Sequence, residues 1–318
     1  MSRLLSPRGL PALALLLAAA ACQEAPVAEP IIEAPLFAKV DGGDAAAAVS
    51  AQMDAINEGL AAAGADYRVA MAEMLGHGDQ MGATVFQKDL GNKQLSFDFV
   101  PNDPRRSWSG APGGSTDNIT YAVDQVDAVP LSPGLDAAAT NAAIEAAMAT
   151  WDARTCSDLD LTRVPDFGLD IGVVAFLNGL GGSPFVFGDV QFAGFSDIDF
   201  AGGILGVAFT FRFVDGAGNS TDVDNNGKFD AAFREIYFDP SWLWTDGSFP
   251  GVDVETVALH EAGHGLSQAH FGNIFIKKGA VSASPRAVMN ALYQGELRGL
   301  LGTDNGGHCS NWGQWPNN

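Results

Sequence analysis

The segment Val254 to Phe271, VETVALHEAGHGLSQAHF, constrains this chain more than any other. In His260-Glu261-Ala262-Gly263-His264 two histidines stand four residues apart, so on a helix they share one face and can offer two imidazole nitrogens to one metal ion. Asp253 is suited to an N-cap, and Val254, Val257 and Ala258 form an apolar stripe, which predicts a helix here. A catalytic zinc needs three protein ligands and an open position, and His270, six residues beyond His264, supplies a third imidazole once the helix has ended. Glu261 sits beside the ligands, placed to act on water at the metal. An isolated pair of this spacing can arise on any solvated helix. Here three of the five histidines fall within eleven residues, and Zn2+ is the expected cofactor.

Charge narrows the partners. Lys plus Arg number 17 against 38 Asp plus Glu, a formal charge of −21, which argues against binding nucleic acid or an anionic membrane by electrostatics. With 47% hydrophobic and 17% charged residues, the 318-residue chain has the composition of a folded protein with a sizeable core.

At the N-terminus Arg3 and Arg8 precede a twelve-residue apolar run, Leu10 to Ala21, that ends in small residues. The run is shorter than the roughly 20 residues of a spanning helix and reads as a signal peptide over 1–21. Ala19-Ala20-Ala21-Cys22 resembles a bacterial lipobox, with Ala19 where Leu is usual, so Cys22 is expected to carry lipid. General signal cleavage near Ala21 is the other reading. The implied location is the bacterial cell envelope, anchored by lipid alone, or secretion. Lipidation of Cys22 leaves Cys156 and Cys309 as an even pair. In an oxidising compartment they are expected to form a disulfide closing a loop of roughly 150 residues, worth about 4–5 kcal/mol on the chain-entropy account.

The rest of the chain divides by composition. Residues 22–43, with Pro26, Pro30 and Pro35, read as a tether. Residues 44–117 read as a small N-terminal α/β module: Val49, Met53, Ile56 and Leu60 recur at helical spacing between Asp44 and Gly64, and strand-like runs follow at Tyr67–Met74 and at Leu95, Phe97 and Phe99. Asp89-Leu90-Gly91-Asn92 reads as a turn, and Ser107 to Ser115 as a linker. Residues 118–318 read as a second domain with a strand at Ile119–Val123, a helix around Ala137–Trp151, and strands at Val190–Phe195, Ile204–Phe213 and Glu235–Phe238. Alternation of helix and strand predicts an α+β fold on a mixed, mostly parallel twisted sheet.

HEAGHGLSQAH, with the residues that follow it, resembles the HExxHxxGxxH motif of the metzincin metalloproteases, and among them the matrixins. The resemblance covers roughly 118–318. It implies a zincin-like catalytic domain with an active-site helix, zinc held by His260, His264 and His270, and Glu261 as the catalytic acid and base. It identifies Ala287-Val288-Met289-Asn290 with the family's Met-turn, with Met289 packed under the metal. It aligns Gly202-Gly203-Ile204-Leu205-Gly206-Val207-Ala208 with the strand bordering the cleft, so that Leu205, Gly206, Val207 and Ala208 are the expected edge for an extended peptide.

The chain departs from the family pattern at three places. Ser267 replaces the glycine between the second and third histidines, where a positive φ costs a side chain about 1 kcal/mol or more. Val207 replaces a histidine of the family's second zinc, so no structural zinc is expected. The N-terminal module has no cysteine for a latency switch once Cys22 is set aside.

A second candidate site is Asp222-Val223-Asp224-Asn225-Asn226-Gly227-Lys228-Phe229-Asp230, which matches the start of an EF-hand-type Ca2+ loop. Asp222, Asp224, Asn226, Asp230 and the Lys228 carbonyl are the expected ligands, although position 12 is Phe233 instead of the bidentate Glu. An acidic surface hairpin between two strands is the competing reading.

The sequence therefore supports a zinc endopeptidase acting on protein or peptide substrates at the envelope or outside the cell. Its rival is a non-catalytic, metal-containing envelope lipoprotein that binds a protein or surface polymer. A gluzincin-like arrangement with Glu296 as third ligand ranks below both, because His270 stands at the metzincin distance.

Overall fold

A computed structural model describes residues 43–87, 97–106, 117–198, 202–277 and 280–317. The apolar leader, Cys22, nearly all of the tether, the turn at Asp89–Asn92, Leu95 and the linker Ser107–Ser115 lie outside the described residues.

In chain order the first elements are α1 (Gly43–Ala62), β1 (Tyr67–Gly76), β2 (Thr84–Phe86), β3 (Phe97–Asp98) and β4 (Ile119–Val123). Then come α2 (Ala137–Asp152), β5 (Leu161–Arg163), α3 (Val173–Leu177), β6 (Val190–Phe195), β7 (Ile204–Phe213) and β8 (Phe229–Phe238). The chain closes with β9 (Trp244–Thr245), β10 (Val252–Asp253), α4 (Val254–Gly265), β11 (Asn273–Lys277), β12 (Ala280–Ser284) and α5 (Gly302–Trp312). The expected strands at 119–123, 190–195 and 204–213 and the helix from 137 form as read. β8 starts at Phe229, six residues before the expected strand, because the Asp222–Asp230 hairpin feeds directly into it.

The main sheet runs β2-β1-β7-β8-β6-β4-β5, with β3 paired parallel to β8. β5, β4, β6 and β8 pair in parallel, whereas β7, β1 and β2 join as antiparallel neighbours. The fold is α+β with a mixed sheet. Helices cover both faces, which is why β7 and β8 are buried along nearly their whole length. One face packs Ile144, Met148 and Trp151 of α2 and Val257, Ala258 and Leu259 of α4 against Phe192, Leu205 and Ile236. The opposite face packs Val49, Met53, Ile56 and Leu60 of α1 against Val69, Met74, Val207 and Phe209.

This arrangement corrects the expected separation of a 44–117 module from a 118–318 domain. β1 pairs with β7 along nearly its whole length, from Tyr67 opposite Phe213 to Gly76 opposite Ile204. The described residues belong to one compact unit. A strand with both backbone edges paired and both faces covered is interior structure, not an appended module. Cys156 and Cys309 form the expected disulfide, with Cα atoms 5.5 Å apart, tying the end of α2 to α5. Among the described residues no helix is long and apolar enough to cross a membrane.

Candidate metal centre

α4 forms where the sequence places it. Asp253 caps it by accepting from the Thr256 amide at 2.8 Å, and Arg298 holds the Asp253 carboxylate in an ion pair. His260 and His264 lie one turn apart on this helix and are buried. After Gly265 the chain reverses: the Gln268 amide donates to Gly263 O at 2.8 Å and Ser267 takes φ +63°. That turn carries His270 back, so its Nε2 lies 3.2 Å from His264 Nε2, which is itself 3.0 Å from His260 Nε2.

The outer nitrogens are engaged elsewhere. His260 Nδ1 lies 2.7 Å from Val288 O and His264 Nδ1 lies 2.8 Å from Gln268 O. A carbonyl only accepts, so each Nδ1 carries the proton and each Nε2 turns a lone pair inward. Burial, and then the neighbouring His264, hold His260 and His270 well below the ordinary histidine range. In their neutral form the three rings turn nitrogen lone pairs toward one another at these separations with no hydrogen to share. The trio therefore fits one divalent transition metal, and His260, His264 and His270 are able to hold it.

Glu261 is fully buried, and neither carboxylate oxygen has a hydrogen-bond partner. Burial pushes its carboxyl up to about 8; His264 opposes that shift and Glu73 adds to it. Gly206 of β7 lies against it, since a Cβ there would stand 2.9 Å from Glu261 Oε1. Met289 packs beneath the helix at Gly263, where a Cβ would stand 2.3 Å from its Sδ. Asp304 of α5 fixes that turn by accepting from the Val288 amide at 3.0 Å and the Met289 amide at 3.1 Å. Tyr293 Oη accepts from the Asp253 amide at 3.0 Å, which places this hydroxyl at the start of α4.

The expected substrate edge is not an edge. Leu205, Gly206, Val207 and Ala208 are buried in a strand paired on both sides: Val207 faces Met74 and Tyr237, and Ala208 faces Glu73 and Ile236. The end of β1 also fills the space between β7 and the segment after Met289. Gly76 accepts from the Tyr293 amide at 2.8 Å, and the Gly82 amide donates to Ala291 O at 2.7 Å. A pocket beside His260 persists there, bounded by Leu75, Thr256, Val288, Leu292, Tyr293 and Leu297.

At the second candidate site, carboxylate oxygens of Asp222, Asp224 and Asp230 come within 4.8 Å of one another. Asp230, however, accepts from Arg105 at 2.6 Å and from Thr221 Oγ1 at 2.5 Å. Asp222 closes the loop on the Asn226 and Gly227 amides, and Asn226 and Lys228 reach Asp98 with their side chains. Protein cations and amides thus engage much of the carboxylate set.

Sequence reading missed Glu73 and Arg234. Glu73 Oε2 lies 3.2 Å from His264 Nδ1, with both side chains buried. Burial disfavours the charged form of each, yet their mutual attraction outweighs it, lowering the carboxyl and raising the imidazole. Arg234, also buried, donates to His264 O and to Ser267 Oγ. The available signal was charge inside strand-like runs: Glu73 alone within Val69–Leu75, and Arg234 beside Glu235 after Ala231–Phe233. The chain matches no protein-family model, and no curated protein matches it.

Proposed function

We propose that this chain is a zinc-dependent endopeptidase of the metzincin kind, working at the bacterial cell envelope through lipid on Cys22 or as a secreted protein. The observation that carries the reading is the convergence of three Nε2 atoms, 3.0 and 3.2 Å apart along the chain of contacts, beside the unpartnered carboxylate of Glu261.

His260, His264 and His270 would hold the ion through Nε2. A bound zinc supplies Lewis acidity toward a peptide carbonyl and brings the pKa of its water to about 7. Glu261 takes a proton at its carboxylate as water attacks and returns it to the leaving amine. Its burial favours the protonated carboxyl that such a return requires. The pocket beside His260, lined by Thr256, Arg286 and Gln294 as well as Leu75 and Leu297, is the open space next to the histidines, and Met289 under Gly263 keeps the histidine-bearing helix in place.

One observation favours the rival reading of a non-catalytic, metal-containing envelope lipoprotein: β1 takes the pairing edge of β7, and Glu261 has no exposed surface. The deciding experiment measures zinc by mass spectrometry and cleavage of an unfolded protein, in wild type and Glu261→Ala. One zinc in both, with chelator-sensitive cleavage in wild type alone, is the expected result. Zinc in both with cleavage in neither favours the rival, and absence of zinc removes the metzincin reading.

A further inference from the structure

We propose that Glu73, far upstream of the histidine motif, is the positioning residue of the metal centre: it orients His264 and supplies negative charge beside it. The proposal rests on the metal-binding reading above.

The placement follows from the strand. Side chains alternate across β1, so Met74 packs with α1 on one face while Glu73 and Leu75 project toward α4 on the other. Pairing of Glu73 with Ala208, and of Leu75 with Gly206, fixes the register of β1 against the strand that borders Glu261. A slip of one residue would put Met74 at the imidazole and Glu73 in the α1 core. The carboxylate thus arrives at His264 Nδ1 from the side opposite the converging Nε2 atoms. Its Oε2 is 3.2 Å from that nitrogen, and Gln268 O is 2.8 Å from it. The Nδ1–H is hydrogen-bonded to Gln268 O, and the carboxylate 3.2 Å away adds an ion-pair attraction on the same side of the ring, which favours this orientation and increases the basicity of the inward nitrogen.

Charge gives the second argument. Arg234 is buried within the same neighbourhood, and a divalent ion on three neutral imidazoles adds two positive charges to it. Glu73 is a buried carboxylate within ion-pair distance of one ligand, 3.2 Å from His264 Nδ1. Without Glu73 the positive charge at the loaded centre rises by one in a low-dielectric interior, which opposes loading.

The test uses the full chain, with zinc affinity measured by chelator competition in wild type, Glu73→Gln and the apolar near-isostere Glu73→Met. The rise in melting temperature on adding zinc and the visible spectrum of the cobalt(II)-loaded chain are read alongside. Removal of a partner of this kind weakens metal binding by about 10- to 100-fold. The expected result is a loss in that range in both variants, a smaller zinc-induced rise and an altered cobalt spectrum. A merely structural role would instead lower the melting temperature of the metal-free chain and leave the zinc-induced rise intact. Affinities within twofold of wild type in whichever variant folds overturn the role of Glu73 alone. A wild-type chain that binds no zinc overturns the metal-centre reading and this proposal together.

Discussion

Arg234 Nη2 donates to Ser267 Oγ at 2.9 Å and so braces a non-glycine residue held at φ +63°. The same guanidinium donates to His264 O, and the Asn311 side chain donates to Ser267 O at 2.7 Å. Positive φ costs a side chain about 1 kcal/mol, and one hydrogen bond to a charged group returns about 1.5–3 kcal/mol. Ser267→Ala keeps the strain and loses the bond, so it is expected to destabilise the chain by about 1–3 kcal/mol. Ser267→Gly loses the bond and relieves the strain, and is expected to fall about 1 kcal/mol closer to wild type. Urea titration of the three proteins measures the ordering; equal stability of Ala and Gly variants would contradict it.

Gly263→Ala is expected to cost about 1–3 kcal/mol by overpacking. Its Cβ would stand 2.3 Å from Met289 Sδ and 2.9 Å from Trp151 Cζ2, both in the core. Met289→Ala in the same background opens room and is expected to recover part of the loss, a non-additivity that a double-mutant cycle reads directly.

Reduction of Cys156–Cys309, or replacement of both by Ser, is expected to destabilise by about 4–5 kcal/mol, because the bond joins residues 153 apart in sequence. Denaturation with and without reductant checks the size, and a change below about 1 kcal/mol would show that the loop is already constrained in the unfolded chain.

His308 is buried against Trp151, ring centroids 5.5 Å apart, and burial together with Arg154 lowers its pKa from 6.5 to about 4. The folded state keeps it neutral while the unfolded chain takes up a proton. Its contribution is complete above about pH 6.5 and is lost as pH falls toward 4, by up to about 3 kcal/mol. His308→Phe, which retains the stacking surface, is expected to flatten the fall in stability between pH 6.5 and 4 relative to wild type. Parallel slopes for the two proteins in urea titrations would contradict this assignment.

Much of the site was legible because its signals are local. Spacing of four along a helix is enough to bring His260 and His264 to one face, and Asp253 is an N-cap wherever a helix begins after it. Parity of the cysteines pointed to the pair that the fold joins. The edge assigned to Leu205–Ala208 was not recoverable from residues 202–208, since an edge strand and an interior strand with both faces covered are both apolar. What distinguishes them is whether another segment pairs alongside, and that segment, β1, lies more than a hundred residues upstream.

The amino-acid sequence by itself determined the histidine set, the helix that carries two of its members, and most strand positions, because these follow from periodicity over a few residues. Only the tertiary structure decided that β1 belongs to the central sheet, that Glu73 meets His264, and that Arg234 braces the turn to His270. Those contacts join residues far apart in the chain. Their energies come from desolvation and pairing of buried charges, which exist only after the sheet has closed around them.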